Sequence, residues 1–232
     1  MPKASFVIPS YNCAAWLPHA IESAQKQTYG DIEIIVVDDG STDSTPKIMK
    51  FLCEKDKRIK YIRLDKNSGR SSARNVGNFE AGGDFIFVLD ADDLAYPNRV
   101  KDCLPKLKSS DFVHGSMEIM DAIGSKIAVH YADVFNKDKA IAEKLNRIMH
   151  SSCAYSKELS SRIQYRVGTL SKLGLDDWAF ELDVAFSGSR IDYVQSVVGA
   201  YRDMEIGISK TRDPQAVSKE KDKFLDRFKV AA

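Results

Sequence analysis

Along the first 110 residues, short apolar runs alternate with longer stretches in which apolar side chains return every three or four positions. The run ASFVIPSYN reads as a strand closed by Pro9, and AAWLPHAIESAQKQ puts Trp16, Ala20 or Ile21, and Ala24 on one helical face. IEIIVVDDGS is a continuous apolar run ending in Asp38, Asp39 and Gly40, the pattern of a strand buried on both faces. TDSTPKIMKFLCEK opens with capping residues and carries Pro46 in an early turn, which predicts a second helix. IKYIRL predicts a third strand, GRSSARNVGNFEAGG a glycine-containing loop and short helix, DFIFVLDADD a fourth strand, and PNRVKDCLPKLKSS the helix that closes the set. Strands and helices alternating in this way build a mainly parallel sheet flanked by helices.

Beyond residue 110 the regularity breaks. DFVHGSMEIM and SKIAVHYADV predict a hairpin turning at Asp121 to Ser125, KDKAIAEKLNRI an amphipathic helix, and SSCAYSKEL another strand. DDWAFELDVAFSG carries Trp178, Leu182 and Ala185 or Phe186 on one helical face, and IDYVQSVVGAYR reads as a last strand. In the tail, Val217, Phe224, Leu225 and Phe228 share a face, with Lys219, Lys221, Lys223, Arg227 and Lys229 elsewhere. A helix packed on its own domain is expected; docking to a membrane surface or a partner is the competing reading.

Composition narrows the function classes. A chain of 232 residues can bury a sizeable core. Lys and Arg number 34 against 33 Asp and Glu, so no field of one sign is available to hold a polyanion, and nucleic acid is not an expected partner. Cys13, Cys53, Cys103 and Cys153 lie far apart with no C-x-x-C pair, which argues for scattered reduced thiols rather than zinc or redox chemistry. No signal-peptide pattern opens the chain and no stretch reaches the roughly 18 apolar residues of a membrane span, so a soluble cytoplasmic protein is expected.

The carboxylates change the picture most. Asp38 and Asp39 close one expected strand, and Asp90, Asp92 and Asp93 close another. Ligands of open α/β sheets bind outside the carboxyl ends of the strands, where neighbouring ends share a crevice. Carboxylates crowded there repel one another unless a cation or hydrogen-bond donors compensate. Hard oxygen ligands favour Mg2+ or Mn2+ over zinc, and Mg2+ completes its shell with water and phosphate, so the cluster points to a phosphate-bearing ligand. The plainer reading is turn formation and helix capping, but one cap needs one Asp and here there are three.

With these residues in view, the chain resembles the family 2 glycosyltransferases of GT-A fold. The resemblance runs over SFVIPSYNCAAWLPHAIESAQKQTYGDIEIIVVDDGSTDST, then NSGRSSARNVGNFEAGGDFIFVLDADDLAYPNRV, and more weakly GLDDWAFELDVAF. It implies a single Rossmann-like GT-A domain over 1–205, with 1–110 as the nucleotide-sugar-binding half, 111–205 as the acceptor-binding half, and 206–232 as a helical tail. By the same resemblance, Pro9, Tyr11 and Asn12 match the loop holding base and ribose, and Asp39 matches a carboxylate that accepts from uracil. Gly69, Arg70, Arg74 and Asn75 match the segment completing the nucleotide pocket. Asp90, Ala91 and Asp92 match the D-x-D motif, which reaches the donor through ribose and through Mn2+ or Mg2+; Asp93 extends the metal-binding cluster.

Glycosyl transfer also needs a base to take the acceptor proton. In the family an Asp of a Glu-Asp pair supplies it, and Asp177 aligns with that Asp while Asp176 stands in place of the Glu. A helix N-terminus is expected to favour the charged form of Asp177. His150, Asp176 and Trp178 are the candidates for acceptor contact. The chain departs from the family in lacking an evident Arg after the helix, although Arg190 is near, and in lacking the Gln-x-x-Arg-Trp of processive synthases. The expectation is therefore a non-processive, inverting, metal-dependent enzyme using a UDP-sugar and a glycan, lipid-linked or protein acceptor, with peripheral association at the inner face of a membrane through the tail left open. The rival readings are a nucleotide-sugar-binding protein without catalysis and a sugar nucleotidyltransferase; PSYNCAAW lacks the Gly-rich, basic loop the latter would need.

Overall fold

The computed structural model describes residues 2–145, 148–204 and 212–229. Strands β1 (Ala4–Ser10), β2 (Ile32–Asp38), β3 (Ile59–Arg63) and β4 (Phe85–Val88) alternate with helices α1 (Leu17–Gln25), α2 (Thr45–Lys55) and α3 (Arg70–Glu80). A two-residue strand β5 (Leu94–Ala95) and α4 (Arg99–Leu107) follow. The second half contains β6 (Phe112–Met120), β7 (Lys126–His130), α5 (Lys137–Glu143), a 3-10 turn at His150–Ser152, β8 (Ala154–Ser156), α6 (Lys157–Arg162), α7 (Thr169–Lys172), α8 (Asp176–Phe186), β9 (Ile191–Arg202) and α9 (Pro214–Lys229).

All the strands join one sheet in the order β3-β2-β1-β4-β8-β6-β9-β5, with β7 paired to β6. β1 to β4 are mutually parallel. β8 runs against both β4 and β6, and β9 runs with β6, so β6 and β9 end at the same edge as β1, β2 and β4. Because chain neighbours lie on both sides of β1, the strand order reverses between β1 and β4, where the fold opens a crevice.

The alternation of side chains across the sheet separates two cores. Phe6, Ile8, Ile34, Val36 and Phe87 face α1, α2 and α4 through Leu17, Ile21, Met49 and Val100. Val7, Ile35, Val37, Ile86 and Val88 face α3, α6 and α8 through Ala73, Leu159, Phe180 and Val184. On its outer side α8 offers Trp178 and Leu182 to Phe224 and Leu225 of α9, and Phe186 stacks on Phe228 at 3.7 Å. The apolar face of the C-terminal helix is thus covered by its own chain. The boundary expected at 205–206 lies outside the described residues. Among the described residues no helix is long and apolar enough to cross a membrane.

Four elements differ from the pattern reading, each for a local reason. α3 is a full helix rather than a short one, and Gly77 in its middle leaves room for the helix backbone to lie directly on Val7 and Val37. β4 stops at Val88 because the chain then turns, with the Asp93 N–H donating to the Asp90 carbonyl at 3.1 Å. SSCAYSKEL splits into β8 and α6, since the Ser156 hydroxyl caps the helix by accepting from Leu159 N–H. The helix expected over KDKAIAEKLNRI ends at Glu143, where Lys144 turns left-handed at φ +51°.

Candidate functional site

The register Val7 with Val88 brings the ends of β1 and β4 side by side, and Ser10 pairs with Asp38 on the other flank. The two acidic strand ends therefore share one edge of the sheet, but their carboxylates do different work. Asp38 is sealed: Oδ1 accepts from Ser41 N–H at 2.8 Å and Oδ2 from the Tyr61 hydroxyl at 2.5 Å. Asp39 accepts from the N–H groups of Ser68 and Gly69, both at 2.7 Å, and so ties the end of β2 to the start of α3. Gly69 makes that entry with φ +93°, a conformation that favours glycine.

Asn12, also left-handed at φ +51°, accepts at Oδ1 from Thr42 N–H at 2.8 Å, while its own N–H donates to the Ser41 hydroxyl. The loops after β1 and β2 are thereby stitched together. Tyr11 between them is 43% exposed, leaving its ring open for stacking, and Pro9 is buried within β1.

Arg70 and Arg74, one turn apart on α3, converge on Asp176 at the start of α8. Arg70 Nε lies 3.0 Å from both Asp176 oxygens, and Arg74 Nη1 lies 2.9 Å from Oδ2. Arg74 continues through Nη2 to Asp90 Oδ1 at 2.6 Å. A single buried guanidinium, stacked over the Tyr165 ring, therefore bridges the acidic turn after β4 to the helix that carries Asp177. Burial would raise Asp176, but Arg70 and Arg74 outweigh it and bring it down to about 2. Asp90, half-buried, is held below its ordinary value by Arg74 and Arg70.

The rest of the turn is less compensated. Burial, and then the charge of Asp90, pushes Asp92 up to about 6. Asp93 is driven well above its ordinary value by burial and by Asp92 and Asp90. Its Oδ1 accepts from Arg202 N–H, whereas Oδ2 is buried and makes no hydrogen bond, although Ser151 is nearby. An oxygen-only set with excess negative charge and an orphaned buried acceptor fits a hard divalent cation, and Asp92 and Asp93 would hold it.

A carboxyl whose folded pKa lies above its unfolded value is a stabilising group only below that unfolded value. Its cost to the fold grows as pH rises from about 4, and is complete above the folded pKa of about 6. In metal-free buffer, Asp92→Asn is expected to stabilise the protein at pH 7 by about 1 to 2 kcal/mol, after discounting for partial exposure, and to have no effect near pH 4. Urea unfolding at the two pH values measures this; equal midpoints for variant and wild type at pH 7 would contradict it.

Asp177 follows Asp176 but is only half-buried, and its Oδ1 accepts from Trp178 N–H at 2.8 Å. Here burial raises the pKa despite the opposing charge of Arg70, against the expectation from the helix N-terminus. A raised pKa makes the carboxylate a better base.

Other expected site residues are engaged by partners within the chain. Asn75 exchanges hydrogen bonds with the backbone of Tyr165 at 2.9 and 2.8 Å. Trp178 is buried against Phe224. His150 is buried, with Nδ1 3.2 Å from Glu181 and Nε2 2.7 Å from the Tyr165 hydroxyl. Among the described residues, His150, Cys153 and Glu181 bring three potential metal ligands within 4.8 Å of one another. Both nitrogens of that neutral ring already have partners, so the trio reads as a core polar cluster.

With this geometry established, the comparisons with known proteins are specific. Residues 5–162 match the model of glycosyl transferase family 2. The chain belongs to that family. An uncharacterized glycosyltransferase of Rickettsia bellii is 40% identical over 124 residues, 53% of this chain and 18% of its own length. Among solved structures, S. aureus TarS 1-349 in complex with UDP-GlcNAc superposes with a TM-score of 0.73 at 20% identity, covering 96% of this chain and 66% of that one. The mannosyltransferase PcManGT from Pyrobaculum calidifontis, in complex with GDP-Man and Mn2+, gives 0.68 at 20% identity over 89% of this chain and 59% of that one. These likenesses establish the GT-A type of fold. The chain spans 18 to 52% of the length of the first curated relatives it matches.

Several residues of this cluster escape a reading of the sequence. Ser151 accepts the Asp90 N–H at 2.9 Å, Ser71 donates to Asp176 at 3.2 Å, and Tyr165 backs Arg74. Arg190 leads into the far end of β9, pairing its backbone with Asp111, while the Arg beside the acidic turn is Arg202. Its only signal in the sequence is a charged residue closing an apolar strand.

Proposed function

We propose that the protein moves one sugar from a nucleotide-sugar, with a UDP-sugar as the first choice, to a hydroxyl of a glycan, lipid-linked or protein acceptor. The reaction is non-processive and inverts the anomeric centre. The observation that supports this reading is the Asp90–Arg74–Asp176 bridge, which ties the acidic turn to the start of the helix that carries Asp177. Pro9, Tyr11, Asn12 and Asp39 form the wall for base and ribose, and Gly69, Arg70 and Asn75 shape the neighbouring corner. Asp90 faces the ribose side of the donor. The chemistry supplied by a Mn2+ or Mg2+ ion at Asp92 and Asp93 is neutralisation of charge on the departing diphosphate. Asp177 takes the acceptor proton as the hydroxyl attacks the anomeric carbon in line. Neighbours of the same fold solved with UDP-GlcNAc and with GDP-Man support a nucleotide-sugar donor.

Asp176 in place of the usual Glu favours the non-catalytic binding reading only if the shorter side chain forfeits its contacts. It keeps both arginines, which supports an active site. The deciding experiment follows nucleoside diphosphate release from a panel of UDP- and GDP-sugars with Mn2+. Release from a uridine donor, abolished by chelator and by Asp92→Asn, is expected. Tight metal-dependent UDP binding with no turnover for any donor and acceptor pair would instead establish a binding protein.

A further inference from the structure

Arg202 closes β9 at the sheet edge that carries the acidic turn, and it is 6% exposed. Its N–H donates to Asp93 Oδ1 at 2.8 Å and its Nε to the Asp92 carbonyl at 3.0 Å. Nη1 donates to the carbonyls of Asp121 and Ala122 at 3.2 and 2.9 Å, in the turn between β6 and β7. The guanidinium carbon sits 4.4 Å from the centre of the Trp16 ring, just before α1. One residue thus joins the segment after β1, the acidic turn, and the tip of the β6–β7 hairpin.

The choice of partners matters electrostatically. Among the described residues, the guanidinium is spent on main-chain carbonyls and an aromatic face, not on a carboxylate side chain. Arg74, by contrast, is consumed by the carboxylates of Asp90 and Asp176. The backbone N–H of Arg202 also decides which Asp93 oxygen is satisfied and which is left as the buried, partnerless acceptor.

We propose that Arg202 is a positioning residue for the cation site of the donor turn. It holds the Asp92–Asp93 segment and the orientation of Asp93 in the geometry that receives a divalent ion, and pins the hairpin tip and the Trp16 segment around it. This inference rests on the donor-site reading above. Groups that orient metal ligands without touching the metal change affinity by about 10- to 100-fold when removed.

The test uses the full chain and Mn2+ itself. Binding is followed by the electron paramagnetic resonance signal of free Mn2+ in the presence of UDP, and UDP binding in metal-free buffer is measured separately by calorimetry. Arg202→Met is expected to weaken Mn2+ binding by about 10- to 100-fold while leaving metal-free UDP binding unchanged. Arg202→Lys, which keeps the charge but not the fork of donors, is expected to fall between Met and wild type. Wild-type Mn2+ affinity in either variant overturns the proposal, as does an equal loss of metal-free UDP binding, which would mark general loosening. Should Arg202→Met fail to fold, Trp16→Leu removes only the stacking face and is expected to weaken Mn2+ binding about two- to fivefold; unchanged affinity there overturns the proposal too. Failure of the wild type to bind Mn2+ with UDP would instead sink the donor-site reading itself, and this inference with it.

Discussion

Replacing Asp177 with Asn is expected to lower the turnover of sugar transfer by about two to four orders of magnitude, the usual contribution of a positioned general base. The substitution keeps the shape of the side chain and its hydrogen bond to the Trp178 N–H, so donor binding should survive. The pH dependence separates a base from a structural residue. A base must be deprotonated to act, so wild-type turnover should fall on the acid side as pH drops through the Asp177 pKa, which burial places above the ordinary carboxylate value. That acid limb should be absent from the residual activity of Asp177→Asn. Nucleoside diphosphate release with saturating donor and acceptor, measured from pH 5 to 8, provides the profile. Full transferase activity in the variant would remove Asp177 from the chemistry.

The largest loss of stability is expected at Arg74. Its side chain is 1% exposed and pairs with two carboxylates at 2.6 and 2.9 Å, one of them fully buried. Replacing such a pair by well-packed apolar groups can be neutral, but removing one member leaves uncompensated buried charge. Arg74→Met should therefore cost about 3 to 5 kcal/mol, nearer the lower figure because Arg70 still holds Asp176 and Asp90 is partly open to solvent. Adding Asp176→Asn to Arg74→Met should recover part of the loss, since a neutral amide needs no counter-charge. Urea unfolding of the three proteins measures both effects. A loss below about 1 kcal/mol for Arg74→Met would show that water or another cation already compensates the site.

The same arginine explains how much of the site could be recognised before the fold. Asp90 and Asp92 stand out because carboxylates directly after an apolar run are locally conspicuous, and Gly69 to Asn75 stand out through their resemblance to a family segment. Nothing local marks Arg74 as the link between Asp90, 16 residues away, and Asp176, 102 residues away. Charged residues spaced one turn apart on a helix ordinarily read as a solvated face. Asp39 has a second role that nothing local marks: its two oxygens accept from the Ser68 and Gly69 amides that start α3.

Hydrophobic periodicity determined the order of the first four strands and the helices between them, because each strand must bury its faces and each helix one stripe, and those requirements leave a repeating mark within a few residues. The chain's own motifs also determined its family and the turn that gathers Asp90, Asp92 and Asp93. Only the tertiary structure decided which carboxylates are neutralised by arginine and which are left in excess. It also decided that Asp176 is sealed while Asp177 stays half-open, and that Arg202 rather than Arg190 attends the acidic turn. Those outcomes depend on burial and on distances between groups far apart in the chain, and Coulombic energies follow separation in space, on which local spacing has no hold.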